Sequence, residues 1–74
     1  MQLTEFLQVF QDVLQRDEPL SAEDALADIE EWDSLAVMAT IAWFDRNLGK
    51  KLTFRDFKGL KSVADIAALA GITQ

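Results

Sequence analysis

The chain has no cysteine and no histidine among its 74 residues. Without cysteine there is neither a disulfide framework nor a protein thiol nucleophile, and without histidine the usual general base and the commonest zinc ligand are gone. Catalysis by the chain itself has few candidate groups, so it is not expected to be an enzyme or to hold a metal. Bases are also scarce, with seven Lys and Arg against thirteen Asp and Glu for a net charge of −6. That balance argues against nucleic acid as a partner, because phosphate binding needs clustered positive charge. No apolar run approaches the roughly 20 residues of a membrane span, so no membrane partner is expected. The opening Met1-Gln2-Leu3-Thr4-Glu5 lacks the basic region of a signal peptide. The expected location is the cytoplasm.

Half the residues are apolar, enough for one small core, and residues 1–74 read as a single domain. A domain this small without disulfides or metal depends on close packing. Its charge is unevenly spread. Residues 1–37 carry ten acids and one base, Arg16, whereas residues 38–74 carry three acids and six bases, Arg46, Lys50, Lys51, Arg55, Lys58 and Lys61. The basic stretch is either a solvated face balanced by the acids of the preceding loop or a surface for a partner.

The pattern is helical throughout, with no strand alternation and no repeat. Leu3, Phe6, Leu7, Phe10, Val13 and Leu14 recur at helical spacing and predict an amphipathic first helix to about residue 15. Arg16-Asp17-Glu18-Pro19 is expected to end it, since proline cannot continue the hydrogen-bond ladder. A long acid-rich connection follows, in which Ser21-Ala22-Glu23-Asp24 has the form of a capping box that could start a short helical turn, and Leu26, Ile29 and Trp32 are expected to pin the loop to the core. A loop of this length in a compact domain is uncommon and often functional.

A second helix is predicted from Ser34 to about Asn47, with Gly49 as its C-terminal cap. It is apolar on most sides. Leu35, Met38, Ile41, Ala42, Phe44 and Leu48 are expected to supply its core face, while Ala36, Val37, Ala39 and Trp43 cannot all share that face, so some must be exposed. Two further capping patterns, Thr53-Phe54-Arg55-Asp56 and Ser62-Val63-Ala64-Asp65, mark a short third helix and a fourth that stops near Gly71. The fold expected is a small all-α four-helix bundle.

Asp33-Ser34-Leu35 opens the second helix. By itself that tripeptide is ordinary capping chemistry. Together with the order of elements around it, it resembles the acyl carrier protein family: a long first helix, a long acid-rich loop, this motif, a long second helix ending before Gly49, a short third helix and a fourth. The resemblance implies that Ser34 carries 4′-phosphopantetheine, donated by coenzyme A through a separate phosphopantetheinyl transferase that uses magnesium. The attached thiol would supply the group this chain lacks and hold acyl intermediates as thioesters. Asp33 would then assist the transferase, helping to position metal, and Leu35 would anchor the helix and contribute to recognition. The resemblance further implies a monomer that serves acyl- or aminoacyl-loading enzymes and acyltransferases, with a bundle able either to shelter an acyl chain or to present it.

One departure bears on partners. Family members of fatty acid synthesis carry several acids along the second helix, whereas Leu35 to Arg46 holds only Asp45. Charge-based docking should be weak on this face, leaving Ala36, Met38, Ala39, Ala42 and Arg46 as the candidate contact residues. That composition, and the Trp32 before the motif, suggest a specialised pathway rather than housekeeping fatty acid synthesis. Two alternatives stay open: a carrier of aminoacyl groups such as D-alanine, and an unmodified helical interaction module.

Overall fold

Phe6, Phe10 and Leu14 lie four residues apart and therefore on one side of a helix; all three are buried. They belong to α1, Leu3–Leu14, in a computed structural model that describes residues 1–72. The remaining helices are α2 (Ser34–Leu48), α3 (Phe54–Phe57) and α4 (Val63–Leu69), with one 3₁₀ turn at Leu26–Asp28. The fold is the expected all-α four-helix arrangement, long loop and short third helix included.

α1 ends earlier than proline would require. Gln15 adopts the left-handed conformation at φ 55°, and the Arg16 N–H returns to the Gln11 carbonyl at 3.0 Å, a helix-terminating geometry usually given to glycine. The Gln11 side-chain amide holds the turn by donating to the Arg16 and Asp17 carbonyls at 3.1 and 3.2 Å. Pro19 comes after the reversal and does not cause it.

The connection from residue 15 to residue 33 is ordered by apolar pins and by backbone bonds. Leu20, Ala22, Leu26 and Ile29 are buried. The Ser21 box forms a tight turn, with the Ser21 N–H donating to Asp24 Oδ2 at 2.9 Å, and the only helical turn in the loop lies further on, at Leu26–Asp28. The loop is then fastened to the start of α4: Leu26 N–H to the Lys61 carbonyl, Val63 N–H to the Asp24 carbonyl and Ala64 N–H to the Ala22 carbonyl, at 2.9 to 3.0 Å. Three N–H groups that a loop or a helix start would otherwise leave unpaired are satisfied in this way.

Six of the seven Phe and Trp residues form a closed circuit of ring contacts. Phe6 stacks on Phe10, Phe10 meets Trp32, Trp32 meets Phe57, Phe57 meets Phe44, Phe44 meets Trp43 and Trp43 returns to Phe6, with centroids 5.7 to 6.1 Å apart. The circuit joins α1, the end of the loop, α2 and α3. Such pairs contribute about 0.5–1.5 kcal/mol each beyond the area they bury, and separating any one element from the others breaks two of them. Val63, Ile66 and Ala67 of α4 complete the core, each at most 1% exposed.

The circuit also decides how α2 is rotated. Its buried side chains are Ala36, Thr40 and Phe44, stacked four apart, with Val37, Ile41, Trp43 and Leu48 packed partly against the core. The expected core face is therefore corrected: Ile41, Phe44 and Leu48 face inward, but Leu35 is 74% and Met38 55% exposed, and Ala42 is exposed as well. Leu35 does not anchor the helix. Thr40 replaces them inside because its hydroxyl donates to the Ala36 carbonyl at 2.8 Å, which removes the penalty for burying a polar group. Gly49 ends the helix at φ 64°, a conformation that glycine adopts without strain.

Candidate functional site

Ser34 is the first residue of α2 and is exposed. Asp33 before it is the N-cap: Oδ1 accepts the Ala36 N–H at 2.9 Å, and its carbonyl accepts the Val37 N–H at 2.9 Å. Among the described residues, the Ser34 hydroxyl and the N–H groups of Ser34 and Leu35 take no internal partner. The arrangement therefore offers a hydroxyl at the positive end of a 15-residue helix, beside two N–H donors free to face an anion.

The approach to Ser34 is held from the other side. Arg16 Nη1 donates to Glu31 Oε1 at 2.7 Å, tying the chain just after α1 to the residue three before Ser34. Hydrogen bonding to Arg16, joined by the backbone N–H of Glu31 itself, holds the Glu31 carboxyl below the usual carboxylate range. The same bond to Glu31 raises Arg16. The pair went unnoticed in the sequence, although Arg16 is the sole base among the first 37 residues and was the one cation available there.

An open groove adjoins the motif, lined by Val13, Leu14 and Gln15 from α1 and by Glu31, Asp33, Leu35, Ala36 and Ala39. Asp33, Ser34 and Leu35 are thus brought to one exposed edge. From Leu35 the outward stripe of α2 continues through Met38, Ala39, Ala42 and Arg46, all exposed. Ala36 is a correction: at 7% exposure it belongs to the core, one helical turn beneath Thr40, and offers no surface to a partner. The six bases of the second half are all exposed, and among the described residues Lys50 alone has a side-chain partner, donating to the Leu69 carbonyl at 2.8 Å.

The family model for a phosphopantetheine attachment site matches residues 4–70. The chain belongs to that family. No curated protein and no solved structure matches it significantly. The match covers nearly the whole chain, so all of the four helices but the first residue of α1, and the Ser34 edge, lie within it, and the prosthetic group is 4′-phosphopantetheine. The donor chemistry fits that group: a phosphodiester needs a hydroxyl for its ester and N–H groups for its charge, and both stand together at the start of α2. A carrier domain of this kind is not itself catalytic and works with a phosphopantetheinyl transferase and with biosynthetic enzymes. Among the described residues, no helix is long and apolar enough to cross a membrane.

Proposed function

We propose that this carrier bears its 4′-phosphopantetheine on Ser34 and holds acyl intermediates there as thioesters, in a specialised pathway rather than in housekeeping fatty acid synthesis. The observation that carries the assignment is the exposed, uncommitted Ser34 hydroxyl at the first position of α2. In the loading reaction the Ser34 Oγ attacks the phosphorus that bears pantetheine in coenzyme A. An Oγ–P bond forms, the P–O bond of the pyrophosphate breaks, adenosine 3′,5′-bisphosphate leaves, and the hydroxyl proton passes to a base of the transferase. The chain's own part is to hold the hydroxyl out on a rigid helix end and to receive the phosphodiester on the N–H groups of Ser34 and Leu35. When bound, the group supplies a thiol on a flexible arm.

Asp33 has two roles in this reading. Its capping bond fixes the first turn of α2, and its carboxylate helps the transferase to position metal. Leu35 and Met38, both large, apolar and exposed, provide the centre of a contact surface with Ala39, Ala42 and Arg46 around it. The single acid of that stretch, Asp45, supports the specialised pathway, since enzymes with basic docking patches find little charge to meet there.

Intact mass after incubation with coenzyme A, magnesium and a broad-specificity phosphopantetheinyl transferase tests the assignment. The expected result is a gain of one phosphopantetheine in the native chain and none in Ser34→Ala. A gain that persists in a folded Ser34→Ala variant would place the attachment elsewhere.

A further inference from the structure

A cargo tethered near Ser34 either stays in water or enters the bundle, and the packing of the interior decides between them. Entry removes alkyl surface from water, but it is favoured only where the protein has room, because a filled core must first give up contacts of its own. Here the space between α1, α2 and α3 is occupied by aromatic rings. Phe6, Phe10 and Phe44 are at most 1% exposed, and together with Trp32, Trp43 and Phe57 they form the closed circuit at 5.7 to 6.1 Å. Among α1, α2, α3 and the end of the loop the circuit has no weak side: lifting α1 breaks Phe6 to Trp43 and Phe10 to Trp32, lifting α2 breaks Phe6 to Trp43 and Phe44 to Phe57, and moving α3 breaks both contacts of Phe57. An alkyl chain driven between any two of these elements would exchange ring contacts for its own.

The surface near Ser34 leads to the same result. The adjoining groove is lined by Leu14 and Ala36, both already part of the core cluster, and by the acidic residues Glu31 and Asp33. An entering alkyl chain would meet charged groups, one of them bound to Arg16, and side chains already packed in the core.

Building on the attachment of the arm to Ser34, we propose that this carrier presents its cargo in solvent instead of sheltering it, and that its cargo class is short or polar acyl groups, aminoacyl groups included, rather than long alkyl chains. Short and polar groups lose little by remaining in water, so a carrier of them needs no internal cavity.

Two tryptophans in the circuit, Trp32 and Trp43, report directly on its state. The transferase is used to load the native chain from acetyl-coenzyme A and from octanoyl-coenzyme A, and each product is verified by intact mass before ¹⁵N and ¹³C spectra are recorded. The expected result is that the acetyl and octanoyl forms share the same Trp32 and Trp43 indole positions and the same Phe44, Val63 and Ile66 backbone positions. Octanoyl-specific shifts of those core signals, with the acetyl form unmoved, would overturn the proposal and show an alkyl chain inside the bundle. Failure of both coenzyme A thioesters, and of coenzyme A itself, to add mass to the folded chain would instead remove the carrier reading on which the proposal rests. A folded Phe44→Ala variant, which opens space inside the circuit, is expected to acquire the octanoyl-specific shifts that the native chain lacks.

Discussion

The two faces of α2 are both largely apolar and have opposite fates. Inward lie Ala36, Thr40 and Phe44, all buried; outward lie Leu35, Met38, Ala39 and Ala42, all exposed. By hydropathy alone the outward set is the more obvious core, since it holds a leucine and a methionine where the inward set holds a threonine. The difference teaches that a helix apolar on every side has no phase of its own. Its rotation is set by what it meets, here the rings of Phe6 and Phe57 against Trp43 and Phe44. The large side chains then left in water lie beside Ser34, the proposed attachment residue.

The largest test of that contrast is Phe44→Ala against Leu35→Ala. Removing a fully buried ring is expected to destabilise the fold by about 3–5 kcal/mol, a large fraction of the stability of so small a domain, whereas the Leu35 change should stay within about 0.5 kcal/mol. Urea unfolding of the two variants measures the gap, and equal losses would mean that α2 is rotated differently in solution. Next come the alanines. Ala36→Leu should overpack the core by about 1–3 kcal/mol while Ala39→Leu leaves the unfolding midpoint near its native value, so the pair reads the two faces at the same side-chain size.

The N-cap contributes less. Asp33→Ala is expected to lose about 1 kcal/mol, seen in thermal unfolding, with Asp33→Asn retaining most of it because an amide oxygen can still accept the Ala36 N–H. A smaller effect belongs to acid. Hydrogen bonds hold Glu31 and Asp65 below the ordinary carboxylate range, the first from Arg16 and the second from the backbone N–H groups of Lys61 and Ser62. Their depressed folded values mean that the stability they add is present at neutral pH and is lost as the pH falls through those values, below about pH 4. The melting temperature should accordingly be level near neutrality and decline in acid, and Glu31→Gln should make that decline shallower. Smallest in stability is Met38→Glu on the outward stripe, expected within about 0.5 kcal/mol of native. Its effect should appear as slower acylation by the cognate loading enzyme with unchanged circular dichroism; an unchanged rate would exclude Met38 from the docking surface.

Much of this architecture can be read from residue order. The Thr53 and Ser62 patterns both form capping boxes, Gly49 caps α2, and Leu26 and Ile29 pin the loop, because caps and pins are local chemistry written within a few residues. The end of α1 was less legible: Gln15 adopts a conformation rare for a side-chain residue, and the reversal depends on Gln11 reaching forward to the Arg16 and Asp17 carbonyls. Proline drew attention to the wrong place. The Ser34 edge was legible from the motif and its context, but the Arg16–Glu31 pair beside it joins residues fifteen apart, a separation at which no local pattern operates.

By itself, then, the sequence determined the helices, their caps, their order and the serine at the head of α2, since each follows from spacing and side-chain chemistry over one or two turns. Only the tertiary structure decided which side of α2 is core, that Ala36 is buried while Leu35 and Met38 face solvent, and that six rings from four segments close on one another. Those outcomes depend on how separate elements fill shared space, and close packing selects one rotation and one ring arrangement from several that the same residues would allow.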